Sequence, residues 1–195
     1  ILLFYGEVTN NCCRFNNRCA IIDFRVQLML IGSFGLRLII TIFIIEEVFG
    51  NMNEIINALY QRKSVLVFTD DPITDEDKKL ILTSAIQAPS AGCQLLYTIL
   101  DITDQTKKDR LADLCDHQAF IAAGQMVLIF CADCQKWDAF YKEAWISPRC
   151  PGAGDLLLAV EDAMIAAQNA VVAAESLGIG SCYIGDIMEN VEEIR

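Results

Sequence analysis

Along residues 53–61, Ile55, Ile56, Leu59 and Tyr60 recur at the intervals of one helix face. Residues 65–68 are short and β-branched, which predicts a strand, and Asp70-Asp71-Pro72 reads as a turn. Thr74 followed by Asp75-Glu76-Asp77 predicts a capped helix, because a hydroxyl can accept from a free N–H and carboxylates suit the positive end of the helix dipole. That helix is expected to bury Leu80, Ile81, Ser84 and Ala85 and to stop at Pro89. Residues 96–102 alternate as a strand does. Residues 103–115 read as an amphipathic helix, with Leu111 and Leu114 inward and Lys107, Lys108 and Arg110 outward. The unbroken apolar run 126–132 predicts a strand buried on both faces.

The longest helical pattern covers residues 155–177. It is apolar nearly all round and rich in alanine (Ala163, Ala166, Ala167, Ala170, Ala173, Ala174), so it is expected to be buried with close helix contacts. Gly178 ends it, and a strand follows through Tyr183. This order predicts an α+β fold: a mixed sheet flanked by helices, with a long buried central helix.

Charge changes the picture in one respect. The net charge is −11, yet residues 1–51 hold four basic and four acidic side chains, so the whole excess lies beyond them. An acidic body excludes nonspecific nucleic-acid binding, which needs Lys and Arg against phosphate. Nine cysteines could form a disulfide framework in a small secreted chain, but 195 residues with this aliphatic content need none. Cys93, Cys115, Cys131, Cys134, Cys150 and Cys182 are therefore read as reduced thiols of a cytoplasmic protein. Cys131 and Cys134 form a lone C-x-x-C without a second pair, read as structural.

Residues 26–45 have about the length of a membrane span, ~20 apolar residues. Arg37 near their middle opposes insertion by roughly 2.5–3.5 kcal/mol. Glu46-Glu47-Val48, just before Met52, can be encoded by a purine-rich ribosome-binding sequence. Residues 1–51 are accordingly read as a separate upstream segment, translated non-coding DNA, with a membrane anchor or a genuine N-terminal arm as alternatives. Residues 52–195 are then expected to form the folded domain.

Three short runs carry candidate chemistry. Arg62-Lys63-Ser64 places two cations and a hydroxyl where a helix gives way to extended chain, a combination that can grip a phosphate or simply complement a helix end. Ala88-Pro89-Ser90-Ala91-Gly92-Cys93-Gln94 is a small-residue loop in which Gly92 permits close backbone approach and Ser90 adds a donor. Ile179-Gly180-Ser181-Cys182-Tyr183-Ile184-Gly185 ends a strand in a turn. Trp137, Phe140, Tyr141 and Trp145 lie on an amphipathic stretch that could roof a pocket or belong to the core. His117 reads as an exposed helix-end residue.

In order and spacing, these three runs resemble the FMN-dependent NAD(P)H oxidoreductases of the nitroreductase family, from Met52 onward. The family pattern Arg-x-Ser-x-Arg is matched by Arg62 and Ser64, followed by Phe68, with Leu66 in place of the second Arg. The Pro-Ser-x-x-Asn-x-Gln loop is matched at Pro89 and Ser90, with Cys93 where Asn is usual. The resemblance implies a nitroreductase-like fold whose domain continues past Arg195, and an FMN held by Arg62, Lys63, Ser64, Ser90, Gly92, Cys93, Ile184 and Gly185. It implies hydride transfer from NAD(P)H through flavin N5 to a small electron-poor acceptor such as a nitroaromatic or quinone, in a homodimer with FMN at the interface. No catalytic side chain and no metal are required, since water can supply the proton. A flavin-binding homologue without turnover, and a protein anchored in the membrane through residues 26–45, are the alternatives.

Overall fold

The computed structural model describes residues 2–7, 53–69 and 71–194. Residues 26–45 lie outside the described set. The chain divides into two compact units, one containing residues 1–8 and 62–195, the other residues 9–61. The described elements, in chain order, are β1 (Leu2–Glu7), α1 (Glu54–Gln61), α2 (Asp75–Ile86), β2 (Tyr97–Asp101), α3 (Gln105–Leu114), α4 (Ala119–Ala122), β3 (Met126–Ala132), α5 (Asp138–Glu143), α6 (Ala153–Ser176), β4 (Ile179–Tyr183) and α7 (Val191–Ile194). In the second unit the described element is α1, and Asn53 begins it by accepting from the Ile56 N–H at 2.9 Å.

In the first unit the four strands form one sheet in the order β2-β3-β1-β4, every ladder antiparallel. A single parallel bridge, Ser64 to Ser181, makes it mixed at the β4 edge. β3 shows why the strand period matters. Met126 and Leu128 face a cluster with Ile81 and Ala85 of α2 and Ala167, Ala170, Val171 and Ala174 of α6. Val127, between them, faces Leu111 and Ala112 of α3, Ile121 and Cys182. Helices thus cover both faces of β3, as its continuous apolar run requires.

Thr74 caps α2 by accepting from the Asp77 N–H at 3.1 Å, and Asp104 caps α3 by accepting from Thr106 at 2.8 Å. α6 ends at Gly178, whose φ of +74° is the left-handed conformation that stops a helix.

Several expectations need correction. Residues 65–68 form no strand; the contact there is the bridge at Ser64 and one hydrogen bond from Val65. Leu80 is exposed. Lys108 is buried, and its ammonium donates to the Gly124 carbonyl at 2.9 Å, tying α3 to the turn before β3. Burial pulls its pKa down, with Asp101 opposing. The long helix is buried on one face only. Its buried alanines lie against α2 and the sheet, whereas Leu156, Leu157, Val160, Met164 and Ile165 are exposed. It is also the one described helix long and apolar enough to cross a membrane by length and composition, a test that the core helix of a soluble protein passes too.

Candidate functional site

Arg62, Lys63 and Ser64 run beside the outer edge of β4. Ser64 bridges Ser181, and the Val65 N–H donates to the Ser181 carbonyl at 3.1 Å. The two cations act on Glu175, in the last turn of α6. Burial raises its carboxyl pKa, while Arg62 and Lys63 draw it back down. The Arg62 charge also acts on the β4 side chains. Burial lifts the Cys182 thiol, opposed by a hydrogen bond from Ser64 and by Arg62. Burial pushes Tyr183 up to about 12, again against Arg62, and its hydroxyl donates to Gln168 at 3.3 Å. Past β4, Ile184 is buried, and the exposed Gly185 accepts from the Met188 N–H at 2.9 Å to open a 3-10 turn. The structure therefore gathers Arg62, Lys63, Ser64, Ile184 and Gly185 along one edge.

Ser90, Gly92 and Cys93 lie elsewhere, on a tight loop leading into β2. The loop turns through three left-handed residues, Gly92 (φ +57°), Cys93 (φ +55°) and Leu95 (φ +50°). Glycine adopts this readily; for Cys93 and Leu95 it stores roughly 1–2 kcal/mol each. A Cβ at Gly92 would meet nothing closer than Gln94 Cγ at 3.8 Å, so conformation and not space selects glycine there.

Four side chains hold this strained path. Asp162 of α6 accepts from the Ala91 N–H (2.9 Å) with one oxygen and from the Leu96 N–H (3.1 Å) with the other. Ser90 Oγ accepts from Leu95 N–H at 3.1 Å. Lys136 Nζ donates to the carbonyls of Leu95 and Tyr97, both at 2.9 Å. Trp137 Nε1 donates to the Gln94 carbonyl at 2.9 Å. Of these, the sequence marks Ser90 alone as a site residue, and Trp137 lies on the stretch that reads either as a pocket roof or as core. Asp162 had a visible signal: it stands three residues after Ala159 and four before Ala166, a charge in the middle of the buried alanine face.

The two regions sit on opposite sides of the sheet. The loop enters at β2 and the cations lie outside β4, four strand spacings away, or about 19 Å at ~4.8 Å per spacing. One chain thus brings the first and third runs together and leaves the second apart.

The remaining candidates fall outside both regions or at their margin. Phe140 is exposed, and Trp145 is 95% exposed, so neither is core. His117 is exposed and stands 3.7 Å from the Asp113 carboxylate. Cys131 and Cys134 are half-buried free thiols. Among the described residues no group of His, Cys, Asp or Glu is arranged to hold a metal. Leu66 is exposed and adds no donor to the cation edge.

Residues 59–195 match the Nitroreductase family, and the chain belongs to it. It is 34% identical over 143 residues to an oxygen-insensitive NADPH nitroreductase of Salmonella typhimurium, covering 73% of this chain and 58% of that protein. Against an FMN reductase (NADPH) of Bacillus subtilis the identity is 30%, over 73% of this chain and 58% of the relative. Among solved structures, B. megaterium NfrA2 superposes with a TM-score of 0.68 at 34% identity, over 73% of this chain and 60% of that one. An NADPH:FMN oxidoreductase from Vibrio harveyi, complexed with NAD+, gives 0.64 at 29% identity over 73% and 61%. The chain spans less than two thirds of these relatives, and its nitroreductase-like fold agrees with theirs.

Proposed function

We propose that this chain acts as an FMN-dependent oxidoreductase, using NAD(P)H to reduce a small electron-poor acceptor such as a nitroaromatic or quinone. The observation that carries the reading is the placing of Arg62, Lys63 and Ser64 beside the outer edge of β4, in a chain of the Nitroreductase family. The donor set suits a phosphate: two cations faced by one carboxylate, Glu175, and an exposed hydroxyl. Arg62 and Lys63 would hold the FMN phosphate, with Ser64 as a further donor. The backbone at Ile184 and Gly185, together with Ser90, Gly92 and Cys93, would line the ring. The redox chemistry itself, hydride in from NAD(P)H and out to the acceptor, is what bound FMN supplies. The chain's part is to grip, orient and leave one face open.

The same reading makes the assembly a homodimer. The loop and the cation edge are separated by the sheet's width, so a ligand touching both needs the loop of a second copy. The exposed stripe of Leu156, Leu157, Val160, Met164 and Ile165 on α6 offers such a copy an apolar surface to bury. Free thiols at Cys93, Cys115, Cys131, Cys134, Cys150 and Cys182 suit the reducing cytoplasm.

An absorbance spectrum of the purified chain with FMN, before and after NADPH under argon, tests the proposal. Flavin bands that bleach support it. Bound flavin that does not bleach favours a binding homologue without turnover, and failure to retain FMN overturns the reading.

A further inference from the structure

Asp162 is 3% exposed, sits on a helix otherwise faced with alanine, and spends both carboxylate oxygens on a loop more than sixty residues away in sequence. Its two acceptors take the N–H groups at the two ends of one short segment, Ala91 and Leu96, with the left-handed Gly92, Cys93 and Leu95 between them. A backbone that turns through three such residues does not hold that path by itself. A carboxylate fixed on a rigid helix can define both ends at once, as neutral Ser90 or the long, flexible Lys136 cannot.

We propose that Asp162 is a positioning residue, holding residues 91–96 in the shape that presents Ser90, Gly92 and Cys93 to the flavin. This rests on the FMN reading above. Asp162 touches no ligand itself; it acts through the loop. Charge matters as well as shape, because Asn in its place would keep one acceptor and turn an NH2 group toward an N–H.

The test uses the whole chain in three forms: wild type, Asp162→Asn, and Asn169→Ala as a control. Asn169 donates from α6 to the Ser84 carbonyl at 3.2 Å and lies away from the loop. Amide hydrogen exchange without FMN reads the loop; FMN titration reads the cofactor. Asp162→Asn is expected to speed exchange at Ala91 and Leu96 and weaken FMN binding about tenfold, as loss of one charge-assisted hydrogen bond implies. Asn169→Ala should lower Tm with both readouts unchanged. Should Asp162→Asn fail to fold by circular dichroism, Asp162→Glu, which keeps both acceptors on a longer stem, is read for the same two changes. Unaltered exchange at Ala91 and Leu96 overturns the proposal, as does faster exchange with unaltered FMN affinity. If the wild type binds no FMN, the functional reading fails, and the exchange data alone then decide whether Asp162 holds the loop.

Discussion

The cation edge and the clamped loop are built in different ways. Arg62, Lys63 and Ser64 are consecutive, and a backbone bridge to Ser181 brings them to β4. The loop takes its shape from Asp162, Lys136 and Trp137, side chains that stand 66, 41 and 43 residues from the loop positions they hold. One region is local sequence laid along a sheet edge; the other exists only once α6 and the segment before α5 have docked. Mutations should therefore separate them, except where they strike what the two regions share.

The largest effect should come from that shared core. Leu128 is fully buried between the sheet and the α2–α6 layer, so Leu128→Ala is expected to destabilise the fold by about 2–5 kcal/mol. Denaturant unfolding would check it, and both regions should lose order together. Next, Arg62→Ala with Lys63→Ala should weaken FMN binding about a hundredfold through lost charge-assisted contacts, while loop amide exchange stays at the wild-type rate. A loop that loosened in this variant would break the distinction. Gly92→Ala should reverse the pattern: a left-handed alanine costs about 1–2 kcal/mol, seen as a lowered Tm and weaker FMN binding, with amides at Ser64 and Val65 unmoved.

The smallest effect lies outside both regions. Arg149 forks onto Asp155 with two contacts of 2.6 Å, and the Gly152 N–H adds a third at 2.7 Å, lowering the Asp155 carboxyl to about 2. A depressed carboxylate stabilises the fold above its unfolded value, near 3.8, and that contribution fades as pH falls toward about 2. Arg149→Met should raise the Asp155 pKa toward the unfolded value, measurable by NMR titration, with both site regions untouched.

The sequence made the locally encoded features legible. Thr74 and Gly178 were readable as helix ends because capping is a matter of neighbouring residues. The apolar run of β3 showed burial on both faces. The cation edge and the strand-end turn were visible as motifs, though not their separation from the loop, which depends on strand order. Lys108 escaped because its position on α3 looked solvent-facing; only its partner, the Gly124 carbonyl, reveals why it turns inward. The outward stripe of α6 escaped for a similar reason: a helix apolar all round reads as buried, whatever later covers its second face.

The central claim is that the two regions meet only between copies. The direct test is to co-express, under separate tags, a chain carrying Arg62→Ala and Lys63→Ala with a chain carrying Gly92→Val, and to measure FMN in the doubly purified pair. Each variant alone should be poor in flavin. In a mixed dimer of shared sites, one site combines both lesions and the other has none, so about half the wild-type flavin should return. No recovery in a dimer that does form would show that each site is made by a single chain, and would contradict the account.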